Sequence, residues 1–249
     1  MATQKKVEVQ KTEHVWVTLP TVIDALKLSR QFQIETKLTV QKSFLSRGVN
    51  ATIILLAAAS IEGFLTECLE AFGDRMLGHD KFDERLLHFY LSRVSWASIE
   101  DKCKLFNLPL GNTLGELMGD IPIQKDFEAL CKLRNCLAHA NSFHYSLYEF
   151  KENEMEFFPT KAEIKSVRKH LLEIGLLTLL PPVPPKEAGD PAFTITGIEE
   201  MFTNKVADHY ADLSQKYMEK VIKLLPQPHK SSMKGMVDTA FGVKVAKTA

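Results

Sequence analysis

The sequence predicts a mostly α protein: a helical bundle with one small β-hairpin and, after a Pro-rich connector, a C-terminal helix. Three observations predict it. Apolar residues recur at intervals of three and four over most of the chain, the spacing that gathers them on one helix face. Apolar–polar alternation, the mark of a strand, occurs only around residues 143–159, which leaves too few strands for a doubly wound sheet. Pairs with the spacing of a capping box, Ser98 with Asp101, Thr160 with Glu163 and Thr196 with Glu199, stand at the heads of three helical stretches.

Residues 1–20 are polar, close on Pro20, and are expected to be a flexible N-terminal segment. From Thr21, VIDALKLSRQFQIETKLTVQKSFLS reads as a helix striped by Ile23, Leu26, Leu28, Phe32, Leu38 and Phe44, ended by Gly48 and Asn50. The strongest helix spans 51–72. There Ile54, Ala58, Ile61, Leu65, Cys68, Leu69 and Phe72 keep one face apolar for about six turns, up to Gly73.

Shorter helices are expected near 82–92 and 98–107, and Pro109, Gly111 and Gly115 make the next stretch a loop. A further helix runs from about Gln124 to Ala140. SFHYSLYEF and MEFF, on either side of KENE, form the hairpin, at about 143–159. Thr160 opens a helix through Leu172. These elements make up one helical domain, 21–180. Residues 181–195 lie in the proline-rich run LLPPVPPKEAGDP and beyond it, and read as a stiff connector. The C-terminal helix, 196–225, packs on the bundle. Residues 226–249, rich in Lys and Ser and without periodicity, are expected to be a disordered tail.

Composition narrows the function classes. Lys plus Arg and Asp plus Glu are 31 each, so no global field attracts polyanions or a membrane surface. Any nucleic-acid binding must come from a local patch. No secretory signal opens the chain, and its longest apolar run, 52–61, is too short to span a bilayer. Cys68, Cys103, Cys131 and Cys136 have no CxxC spacing and read as reduced thiols of a cytoplasmic protein. There is no internal repeat, glycine-rich phosphate loop, GxSxG or HExxH. Cys131, Cys136, His139 and His144 are close in sequence, but on a helix the two thiols point about 140° apart and do not converge as tetrahedral ligands must. No metal and no cofactor are expected.

The stretch that calls for explanation is CKLRNCLAHANSF, residues 131–143. With Leu130 at zero on a helical wheel, Phe127, Leu133 and Leu137 fall within about 60° and define the buried face. Arg134 lies near 40°, at the edge of that face, while Asn135 near 140° and His139 near 180° point away from it. A partly buried guanidinium needs a carboxylate or carbonyl partner, because an unpaired charge there costs several kcal/mol. Glu62 flanks the stripe of the 51–72 helix by about 70°, the matching position if the two helices pack together.

LRNCLAHA resembles the RNxxxH form of the Arg–His motif of HEPN domains, compact helical bundles common in prokaryotic defence and toxin systems. AAASIEGFLTECLEAF resembles the long family helix with its Glu, and SIEDKCKLF the Lys-containing helix before the motif helix. The resemblance covers roughly residues 21–180. It implies a metal-independent endoribonuclease in which two motif helices meet across a homodimer. His139 would act as general acid or base at the ribose 2′-hydroxyl or the leaving oxygen, Arg134 would hold the scissile phosphate, and Asn135 would orient the His or the substrate.

Side-chain chemistry agrees with those roles. Imidazole titrates near working pH, and a guanidinium fork matches phosphate oxygens. One helix cannot aim Arg134 and His139 at a single atom across about 140°, so the catalytic reading requires two copies. His144, Tyr145 and Lys102 are candidates for RNA contact. Implied partners are an RNA substrate, a second copy, and an antitoxin or regulatory protein; no membrane is implied. In one HEPN subgroup a Tyr two residues after the His is the modification site, and here that position is Asn141.

The alternative is a non-catalytic interaction or regulatory module. Arg134 would then tie two helices together, and His139 would be a cation at a helix C-terminus. The chain also resembles, more loosely, helical transcriptional regulators of the mannitol-operon repressor type.

Overall fold

The structure is a computed structural model, described for residues 18–35, 44–77, 84–138, 145–150, 154–159, 162–177, 192–194 and 201–242. It is mostly helical. The helices are α1 (Thr18–Glu35), α2 (Phe44–Leu77), α3 (Glu84–Trp96), α4 (Ile99–Leu105), α5 (Asn107–Leu110), α6 (Leu114–Met118), α7 (Ile121–Ala138), α8 (Ala162–Glu173), α9 (Asn204–Leu224) and α10 (His229–Phe241). Backbone segments β1 (Tyr145–Phe150) and β2 (Glu154–Pro159) lie antiparallel, Tyr145 opposite Pro159 and Phe150 opposite Glu154. Residues 151–153 between them lie outside the described residues. β3 (Ala192–Thr194), inside the expected connector, adds to β2 in parallel.

The axis of the bundle is α2, about 51 Å long at 1.5 Å per residue. It packs most extensively against α9 and α1, with α3, α4 and α7 on its remaining sides. Ile53, Ile54, Ala57, Ala58, Ile61, Phe64, Leu65 and Leu69 are wholly buried, a girdle wider than one stripe, as a helix covered on several sides requires. Among the described residues Leu45–Gly73 is the one stretch long and apolar enough to cross a membrane, well beyond the 52–61 run; half of its apolar window is buried by neighbouring helices.

Gly48 and Asn50, expected to end the first helix, lie inside α2 instead. A single glycine in a helix costs about 1 kcal/mol, and tertiary contacts outweigh that here. Asn50 is 1% exposed. It accepts from Gln33 Nε2 at 2.6 Å and donates to the Phe202 carbonyl at 2.7 Å and to Asn204 Oδ1 at 3.0 Å, tying α2 to α1 and to the head of α9. Gly73 is also helical.

The N-terminal boundary shifts too: α1 begins at Thr18, and buried Leu19 lies where a Cβ on Gly63 would meet it at 3.6 Å. Short helices α5 and α6 replace the expected loop, ended by Gly111 at φ 79° and Gly119 at φ 59°, a conformation glycine adopts without strain. α9 starts at Asn204 rather than 196, because the capping hydroxyl is Thr203, which accepts from Val206 N. Residues 196–200 lie outside the described residues, as does Thr160.

The expected disordered tail is corrected. Residues 229–241 form α10, whose Met233, Val237 and Ala240 are buried at i, i+4 and i+7. Lys- and Ser-rich composition concealed an apolar stripe of helical period.

Candidate functional site

The phase of α7 decides what its polar residues face. Gly119 in the left-handed region turns the chain, Asp120 Oδ1 accepts from Ile123 N at 3.3 Å, and Pro122 occupies the first turn. A proline there gives up an N–H that has no helical partner in any case. Asp120 is also ion-paired with Lys220 of α9, which fixes this end. Thirteen residues on from the start, Arg134 then falls beside α2.

Its guanidinium Nη2 donates to Glu62 Oε2 at 2.9 Å, the pairing that the two helix stripes suggest. Nη1 donates to Asn135 Oδ1 at 3.0 Å. The other oxygen of Glu62, Oε1, accepts from Lys102 Nζ of α4 at 3.1 Å. Three helices therefore meet on one carboxylate. Two cations against one anion leave the cluster with one net positive charge. Arg134 has 32% of its side chain exposed and Glu62 24%, so the cluster opens to solvent on the α7 side.

Lys102 differs from its expectation. As a candidate for RNA contact it should stand exposed, but it is 4% exposed, with its ammonium on Glu62. Its position was legible: Ile99, Lys102 and Phe106 follow the core spacing of α4, and Ile99 and Phe106 are buried. Lys104, two residues on, is exposed and pairs with Asp101. Asn135 is half-buried and holds the guanidinium. His139 and His144 lie outside the described residues, since α7 is described to Ala138. Tyr145 opens β1; its backbone alone is described.

A second polar cluster has no counterpart in the sequence reading. Asp126 of α7 lies 2.6 Å from His170 Nε2 of α8 and 3.3 Å from His209 Nε2 of α9. Burial pushes the Asp126 carboxyl up, but the two imidazoles beside it, His209 and His170, outweigh that and hold the carboxyl below its ordinary range. No local spacing announces this group: its shorter contact, Asp126 with His170, joins residues 44 apart. Among the described residues no three His, Cys, Asp or Glu side chains are grouped so as to hold a metal ion. The four thiols are free. Burial pushes the Cys103 thiol up to about 11, against a contact with the Tyr217 hydroxyl at 3.4 Å.

No family model matches the chain, no curated protein matches it, and no solved structure matches it.

Proposed function

We propose that the protein is a cytoplasmic, HEPN-like helical bundle, with its hairpin at about 143–159 following the motif helix in sequence, that acts as a metal-independent endoribonuclease on single-stranded RNA. A homodimer brings Arg134, Asn135 and His139 of two motif helices together. The observation that carries this reading is the Glu62-held guanidinium. Of the five N–H donors on Arg134, two are committed to Glu62 and Asn135, so the fork is oriented, and among the described residues the other three are not drawn into a further bond and suit phosphate oxygens. The net positive charge of the cluster favours the same ligand.

In this reading His139 of one copy moves the proton at the 2′-hydroxyl or the leaving oxygen. Arg134 stabilises charge that grows on the phosphate as the 2′-oxygen attacks, leaving a 2′,3′-cyclic phosphate and a free 5′-hydroxyl. Glu62 is a positioning residue for Arg134. A toxin or defence role with an antitoxin partner fits such an activity.

The buried Lys102 favours a second reading, a non-catalytic interaction or regulatory module. A carboxylate flanked by two cations from two helices is also how a fold ties itself together. The two readings separate when wild type, His139→Ala and Arg134→Ala are incubated with mixed-sequence RNA in chelator. Cleavage by the wild type with cyclic phosphate ends, reduced about 10²- to 10⁴-fold in either variant, is expected. Equal behaviour of all three folded proteins leaves the module.

A further inference from the structure

We propose that a groove on the outer side of α3 and α4 is a subsite for one unpaired nucleotide of RNA, its base stacked on Trp96. The groove measures about 400 Å³ and is lined by Arg93, Trp96, Ala97, Asp101, Lys104 and Leu105. Trp96, the last residue of α3, is 88% exposed. An indole offers among the largest apolar areas of any side chain, so leaving it in water forgoes a large burial gain unless something else covers it.

What surrounds Trp96 indicates the chemistry of the cover. Phe89, Arg93 and Trp96 stand at i, i+4 and i+7, within about 60° of one another on α3. The Arg93 guanidinium carbon lies 5.5 Å from the centre of the Phe89 ring, which is itself 61% exposed, a contact that steadies a cation beside the indole. Across the groove Lys104 Nζ is 2.8 Å from Asp101 Oδ1, and Asp101 Oδ2 accepts from Ser98 Oγ at 2.9 Å. Those two bonds hold the Asp101 carboxyl below its ordinary range and anchor the wall of the groove on the cap of α4.

An aromatic face, two cations and one carboxylate match a nucleotide part by part. The base takes the indole face, the phosphate takes Arg93 and Lys104, and a carboxylate oxygen with a lone pair to spare can accept from an exocyclic amine. Two positive charges against one negative complement a phosphodiester, and a duplex, whose bases are already stacked on each other, does not fit. The subsite rests on the part of that reading by which the protein binds single-stranded RNA, cut or uncut. It extends that reading along α4, which turns Lys102 inward to Glu62 and Lys104 outward to the groove.

The test uses full-length protein carrying Trp16→Phe, so that Trp96 is the sole tryptophan, and His139→Ala, so that RNA survives titration. Adding a short oligoadenylate should quench the emission saturably, with affinity falling as salt rises. Trp96→Ala should weaken binding, followed by anisotropy of labelled oligoadenylate, about ten-fold or more, and Trp96→Phe should keep most of it. Duplex RNA should not quench.

Oligoadenylate bound equally by Trp96→Ala, with emission unmoved, overturns the subsite and leaves the ribonuclease intact. Emission that answers to dilution of the protein alone, or to phosphatidylserine vesicles but not RNA, assigns the face to a second copy or a lipid surface and also overturns it. Saturable quenching alongside a His139-intact protein that cuts nothing keeps the subsite and retires the nuclease.

Discussion

Replacing Glu62 by Gln removes the charge on which three helices converge while keeping the shape of the side chain. Lys102 is 4% exposed, with its ammonium 3.1 Å from Oε1, and Arg134 lies 2.9 Å from Oε2. Breaking a buried pair by neutralising one partner costs about 3–5 kcal/mol, because the other charge stays buried without compensation. Arg134, a third exposed, can turn to water, and its share is that of a surface pair, up to about 1 kcal/mol. Lys102 therefore carries most of the effect, and because Glu62 is itself a quarter exposed the low end of that range applies, about 3 kcal/mol for the whole. For a chain of this size each kcal/mol lowers the melting temperature by about 2–4 °C. Three of them predict a fall of about 6–12 °C in a thermal melt followed by far-UV circular dichroism. Glu62→Gln combined with Lys102→Met, which removes both buried charges, should regain more than half of that. A single variant melting within about 2 °C of wild type, or a double variant no better than the single, would refute the claim that this carboxylate holds a buried lysine in place.

Three other outcomes follow from the packing. Asn50→Leu removes the bonds to buried Gln33 and to the Phe202 carbonyl and Asn204 at the head of α9, and should lower unfolding free energy in urea by about 2–4 kcal/mol, since a buried group left unpaired costs about 1–3 and the half-buried carbonyl adds less. Met233→Ala, at a position 1% exposed on α10, should cost about 2–5 kcal/mol in the same assay, whereas a disordered tail would show no change. Asp126 has its carboxyl held down in the fold, so its contribution is present above the ordinary Asp value near about pH 4 and is lost as pH falls through its lower folded value. The urea midpoint of wild type should therefore drop on acidification below that point, and Asp126→Asn should flatten the drop.

How much of this was legible depends on whether a feature is local to one helix. The Glu62–Arg134 contact was readable because each residue flanks the apolar stripe of its own helix, and two stripes packed together bring their flanks into register. The three-residue cap of α4 was readable for the same reason: Ser98 accepts from Asp101 N within one turn. Gly48 and Asn50 misled because a stop signal is only a local preference. Whether it acts depends on Gln33 and on the backbone at Phe202, which no local window contains. Asp126, His170 and His209 were beyond reach because their meeting requires the rotation of α7, α8 and α9 at once.

Lys102 shows why a charge at a core position is informative even when its partner is unknown. Ammonium groups avoid burial unless a carboxylate meets them. A lysine between Ile99 and Phe106 at helical spacing therefore predicts an acid on the element that α4 packs against, and α2, against which α4 lies, supplies Glu62. The same argument applies to Arg134 from the other side. Two cations then compete for one carboxylate, and the more buried one needs it more. Arg134, with a second acceptor in Asn135 and a third of its side chain in solvent, is the cation that depends on Glu62 less for its charge and has N–H groups facing water. On the ribonuclease reading Glu62 orients Arg134 without being needed by the phosphate itself, which predicts that Glu62→Gln would impair RNA cleavage less than Arg134→Ala, measured as initial rates on the same RNA at a temperature below both melts.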